Sequence, residues 1–167
     1  MNKSPDTVYV TYIAATPQRV WDALTQGEIT KQYFFGRRIE SDWKVGGRVV
    51  YWQPDGTLDV SGEILECDPP RKLRFTWCVE CVPEIKALPP CIVTYQIDDL
   101  GAAVRLTVIE EHPTPIEEKW LEGGRRGWPI ILCSLKSWLE TGQPLPNLVE
   151  HGKPDALKAV SKPQPHL

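Results

Sequence analysis

The sequence has no long apolar run and no block of like charge. Its uninterrupted apolar stretches fall far short of the roughly 20 residues that a membrane-spanning helix needs. The opening residues, MNKSPDTVYV, hold no apolar core of a secretory signal. A cytoplasmic protein with no membrane span is expected. Basic residues never run beyond the pairs Arg37-Arg38 and Arg125-Arg126, and the formal net charge is −3. Nothing in that balance asks for a nucleic-acid partner. Histidine is scarce: His112, His151 and His166 are the only three. No His/Asp/Glu grouping has metal-ligand spacing, and no Ser or Cys nucleophile motif is present. Neither a metal nor a cofactor is expected. There is no glycine-rich phosphate loop, since Gly46-Gly47 and Gly123-Gly124 are pairs at element boundaries and read as turns.

The five cysteines are Cys67, Cys78, Cys81, Cys91 and Cys133. An odd number with no signal segment points to reduced thiols. Cys78-Val-Glu-Cys81 has redox-motif spacing but follows the strand pattern LRFTW. It does not open a helix, where a dipole would lower the thiol pKa. The pair reads as strand-end thiols.

What is there is a globular composition, 41% apolar and 25% charged over 167 residues, which suits one domain with its own core. Seven tryptophans are many for this length, and indoles both fill cores and line ligand sites. Thr7 to Ala14 is rich in β-branched and aromatic residues and reads as a strand. Thr16-Pro17 opens a helix, with Thr as cap and Pro in the first turn. Residues 25–35 look like a second short helix ending in the aromatic cluster Tyr33, Phe34 and Phe35.

From Gly36 to about His112 the period becomes two. Strands are expected over 47–53, 57–67, 73–79, 91–97 and 102–110, with turns at Pro54-Asp55-Gly56 and Asp98 to Gly101. In the second of these, Leu58, Val60, Gly62 and Ile64 share one face, and Asp59, Ser61 and Glu63 the other. Residues 83–90 read as a loop. Such alternation gives an antiparallel sheet with one wet face and one apolar face that must be covered. Residues 112–124 read as a loop with a short helix ended by the double glycine. A new helix is expected from Pro129 to Gly142. Ile131, Leu132, Leu135, Trp138 and Leu139 form its apolar stripe, and burying each is worth roughly 1.5–3 kcal/mol. Residues 1–145 form the expected single domain. Residues 146–167 are proline-rich and read as an extended or mobile tail.

Four strings, ATPQRVWDALT, SDWKVGGRV, GEILECDPPRKLRFTW and GWPIILCSLKSWLETGQPL, resemble the SRPBCC (START-like) superfamily. The branch they resemble is that of the heat-shock-protein-90 ATPase activator homologues. The resemblance runs over about residues 7–145. It implies an α+β helix-grip fold: a curved seven-stranded antiparallel sheet wrapped around a long C-terminal helix, with two short helices after the first strand. It also implies a cavity between sheet and helix. Related proteins bind lipids, sterols, polyketides or other apolar molecules there. The co-chaperone role goes with a further N-terminal domain and is not expected of these residues.

The expected function is therefore binding of a small hydrophobic or aromatic ligand, lipid or polyketide-like. The candidate ligand-binding residues are Tyr33, Trp43, Trp52, Phe75, Trp77, Tyr95, Trp128 and Leu132. For any one of them the competing reading is plain core filling. No catalytic residue is assigned. Glu110, Glu111 and His112 adjoin and could do acid–base work at a cavity mouth, but they read as a solvated strand end. The alternatives are a cyclase or hydrolase on an aromatic or polyketide-like substrate, or a stress-related protein-interaction module. A homodimer is compatible with either.

Overall fold

The computed structural model describes residues 3–146. The chain runs β1 (Thr7–Ile13), α1 (Pro17–Thr25), α2 (Gly27–Tyr33), β2 (Arg38–Ser41), β3 (Arg48–Trp52), β4 (Leu58–Asp68), β5 (Lys72–Val79), α3 (Pro83–Lys86), β6 (Cys91–Asp99), β7 (Val104–Glu111) and α4 (Glu118–Thr141). The seven strands form one antiparallel sheet in the order β1-β7-β6-β5-β4-β3-β2. Each strand after β1 pairs with its sequence neighbour, and β1 closes on β7. This is the helix-grip arrangement, with α4 against the apolar face.

Alternation sets the buried face. Leu73 and Phe75 of β5, Val93, Tyr95 and Ile97 of β6, and Val104, Leu106 and Val108 of β7 all turn inward and are buried. Helix α4 answers with Leu121, Trp128, Ile131, Leu132, Leu135 and Leu139. Helices α1 and α2 supply Val20, Trp21, Leu24 and Tyr33 to the same core. Thr16 caps α1, its side chain accepting the Arg19 amide N–H at 3.3 Å.

Three expectations are corrected. The double glycine does not end a helix and Pro129 does not begin one. Helix α4 runs unbroken through Gly123, Gly124, Gly127 and Pro129 to its left-handed cap at Gly142, φ 77°. Each helical Gly costs about 1 kcal/mol against Ala and an interior Pro about 3. Six large buried side chains on one helix outweigh that sum. Second, residues 83–90 contain the short helix α3. Third, Asp59 does not lie on the wet face; it is 2% exposed. The register explains this: Tyr51 pairs with Val60 and Trp52 with Leu58, so Asp59 is the extra residue of a β-bulge. A bulge re-aims the side chain it inserts. Of the tail expected over residues 146–167, all but residue 146 lies outside the described residues.

Candidate functional site

A cavity of about 670 Å³ opens between the N-terminal half of α4, the β5–β7 side of the sheet and the α3 loop. Its apolar wall includes Phe34, Trp77, Trp128 and Ile131. Gly123, Gly124 and Gly127 line it from α4. A Cβ added at Gly123 or Gly127 would meet nothing within 4 Å. The three glycines therefore leave room where the helix would otherwise carry side chains. This accounts for residues that weaken the helix being kept in its interior.

Two polar groupings stand in this wall. The first is Glu110 with His112, each 7% exposed. The Glu110 Oε2 accepts the Trp128 indole N–H at 3.0 Å. His112 Nε2 lies 3.3 Å from Oε1. Gly124 sits against this carboxylate: a Cβ there would come within 2.8 Å of Oε1 and 2.9 Å of Oε2. Two thirds of the cluster expected to be a solvated strand end is thus buried. Only Glu111 faces outward, half-buried, and pairs with Arg74 at 3.2 Å. The inward direction of Glu110 and His112 follows the parity of Val104, Leu106 and Val108. The negative charge of Glu110 is felt nearby. Burial first, and then that charge, push the Tyr9 hydroxyl up to about 12. The same two causes push the Cys91 thiol up to about 12.

The second grouping is Arg37 with Asp59. Their side chains form an ion pair that is 13% and 2% exposed. Gln53 Nε2 donates to Asp59 Oδ1 at 3.1 Å, and the Cys81 thiol donates to the same oxygen at 2.9 Å. Burial and this hydrogen bond push the Cys81 thiol up to about 11. The guanidinium of Arg37 also lies over the Phe35 ring, 5.8 Å from its centroid. No sequence pattern marked Arg37 or Asp59, because a bulge leaves no trace in the alternation around it.

The structure divides the eight candidate aromatic and apolar residues. Trp77 and Trp128 line the cavity. Phe75 and Tyr95 stand behind them in one ring network: Phe75–Trp77 at 6.0 Å, Phe75–Tyr95 at 5.8 Å, Trp77–Trp128 at 5.7 Å and Tyr95–Trp128 at 6.0 Å. Leu132 is buried in the core. Tyr33 is buried too and its hydroxyl donates to the Ala23 carbonyl at 2.7 Å; it borders a smaller hollow beside Pro144 and Leu145. Trp43 packs on the edge of the core at a positive φ of 59°. Trp52 is half-buried, away from the cavity lining. Phe34, absent from the candidates, lines the cavity and packs edge-on to Trp128 at 5.9 Å.

The sheet order, the enclosed helix and the cavity between them fit one family of known proteins. The sequence model described as Activator of Hsp90 ATPase homolog 1-like protein matches residues 14–140. The chain belongs to this family. Solved structures of similar fold bear out the architecture. DynU16, a protein of the dynemicin biosynthetic locus, superposes with a TM-score of 0.70 at 23% identity, over 83% of this chain and 48% of that one. An HSP90 activator of Plasmodium falciparum gives 0.60 at 20% identity, over 74% and 86%. The Aha1 dimer of Colwellia psychrerythraea gives 0.65 at 16% identity, over 83% and 98%. Among proteins of curated function none matches the chain. Within this Hsp90-activator-like family the chain keeps the helix-grip sheet and the covering helix. Among the described residues no helix is long and apolar enough to cross a membrane, and no cluster of three or more His, Cys, Asp or Glu could hold a metal ion.

Proposed function

We propose that the protein binds a small hydrophobic or aromatic molecule, lipid or polyketide-like, in the cavity between sheet and α4. One observation carries this reading: the helix keeps three glycines, beside Trp128, along a cavity of about 670 Å³ whose opposite wall holds Trp77 of the sheet. A cavity of that size is within the range that small ligands fill. In this reading Trp77, Trp128 and Phe34, which line the cavity, contact the ligand, and Phe75 and Tyr95 support them from behind. Leu132, Tyr33, Trp43 and Trp52 serve the core and its edge in this reading. The origin of DynU16 in a biosynthetic locus favours an aromatic or polyketide-like occupant. The test is a panel of apolar probes, namely 1-naphthaleneethanol, anthraquinone-2-methanol and laurate. Saturable quenching of tryptophan fluorescence together with a raised melting temperature is expected. No response to any probe, with a crystal structure showing a filled interior, overturns the reading.

The buried Glu110–His112 pair favours an enzyme as the second reading, since a carboxylate and an imidazole in contact inside a cavity can move a proton. Turnover abolished by both Glu110→Gln and His112→Ala is its test. A cytoplasmic homodimer is part of the proposal. Val8, Val10 and Tyr12 leave an exposed apolar stripe on edge strand β1, and sedimentation of the protein at micromolar concentration checks it.

A further inference from the structure

Whatever fills the cavity must deal with Glu110. An ionised carboxylate offers about four acceptor positions. Trp128 Nε1 and His112 Nε2 occupy two of them. Glu110 itself lines the cavity, so its remaining acceptor positions fall to water or to the occupant. An apolar occupant displaces that water, and a buried carboxylate without partners is strongly disfavoured. The occupant must therefore bring a donor of its own to this spot.

The charges show which kind of donor fits. The cavity wall holds two carboxylates of low exposure, Asp59 and Glu110. Asp59 is neutralised by Arg37 and further held by Gln53 and Cys81. Among the described residues no Lys or Arg pairs with Glu110; its one ion-pair contact is His112. Of the two carboxylates, Glu110 is thus the one with no Lys or Arg against it among the described residues. Beside it stand three ring systems that touch one another. Trp128 lies 5.7 Å from Trp77 and 5.9 Å from Phe34, and Phe34 lies 6.3 Å from Trp77. Aromatic faces attract cations, most of all when water is excluded.

Resting on the ligand-binding reading above, we infer that the occupant is an aromatic or apolar molecule bearing a protonated amine, with its ammonium on Glu110 and its body against Trp77, Trp128 and Phe34. Glu110 is the specificity-determining residue of the cavity. Gly124 is a positioning residue, because any side chain there displaces the carboxylate.

The experiment uses three probes of one shape: 2-(1-naphthyl)ethylammonium, 1-naphthaleneethanol and 1-naphthaleneacetate. Calorimetric titration of the full chain at pH 8 reads their affinities. The ammonium is expected to bind at least tenfold more tightly than the alcohol, and the acetate more weakly than either. Glu110→Gln is expected to erase the ammonium preference, bringing the ammonium and the alcohol within about threefold of one another, while such a carboxamide oxygen can still accept the Trp128 N–H. Equal binding of ammonium and alcohol by the wild type overturns the inference and leaves the binding cavity standing. Survival of the ammonium preference in Glu110→Gln overturns it as well. No binding of any of the three overturns the cavity reading along with it. The wild-type comparison needs no variant, so it decides the matter even where Glu110→Gln does not fold. Trp77→Leu then serves as the second variant, with a reduced ammonium preference expected and an unchanged one counting against the aromatic contribution.

Discussion

Gly124 and Gly127 stand three residues apart in α4, and replacing each by alanine should move stability in opposite directions. Helix propensity alone treats the two alike: alanine gains about 0.5–1 kcal/mol over glycine at an interior position. At Gly127 a Cβ meets nothing within 4 Å, so the gain is kept. For a domain of this size each kcal/mol shifts the melting temperature by about 2–4 °C, so Gly127→Ala should melt about 1–4 °C higher. At Gly124 the Cβ would lie 2.8 Å from Glu110 Oε1 and 2.9 Å from Oε2. The carboxylate must move off Trp128 and His112. Hydrogen bonds to a charged group are worth roughly 1.5–3 kcal/mol. After the propensity gain, a net loss of about 1–2 kcal/mol remains, and Gly124→Ala should melt about 2–8 °C lower. Differential scanning calorimetry of the two variants beside the wild type reads both shifts. Equal shifts of one sign would refute the packing of Glu110 against the helix, and with it the geometry of the cavity wall.

Three other perturbations probe separate parts of the structure. Asp59→Asn leaves the Arg37 charge in a buried site without its counterion and should cost about 3–5 kcal/mol in urea unfolding; a loss under 1 kcal/mol would place that pair in water. Leu135→Ala removes a fully buried side chain of α4 and should cost about 2–5 kcal/mol, read as a lowered urea midpoint with the same slope. Cys81 and Cys133 are both exposed, yet Cys81 should alkylate more slowly at pH 8, because its thiol is pushed up to about 11 by burial and Asp59. The thiolate is the reacting form, so its labelling rate should climb about tenfold per pH unit until pH nears 11. Peptide mapping after brief iodoacetamide treatment checks this; equal labelling of the two at pH 8 contradicts it.

The strands were legible because their alternation is regular: Leu73, Phe75 and Trp77, then Val104, Leu106 and Val108, each mark one face. That same parity carried Glu110 and His112 inward, and the signal was present in the sequence. It was outweighed by the expectation that adjoining charges at a strand end are solvated. The extent of α4 was not legible. Local propensity sets a break at Gly123-Gly124 and Pro129, and only the tertiary burial of Leu121 and Trp128 overrides it. Asp59 was hidden for another reason: its bulge depends on how β3 and β4 pair, which no single strand pattern records. Of the seven aromatic residues expected at the site, Trp77 and Trp128 border the cavity, Phe75 and Tyr95 stand behind them, and Tyr33, Trp43 and Trp52 are not in its lining. Periodicity identifies the face of a strand, not which residue on that face borders empty space. The space itself comes from glycines on another element.

The most direct test of the cavity uses one variant that fills it. Gly127→Leu projects a side chain from α4 into the open space beside Trp77 and Trp128. Titration of 1-naphthaleneethanol should quench wild-type tryptophan fluorescence saturably, and Gly127→Leu, folded by circular dichroism, should show at least a tenfold weaker response. An unchanged titration curve in the variant would place the ligand elsewhere and contradict the cavity as the site of function.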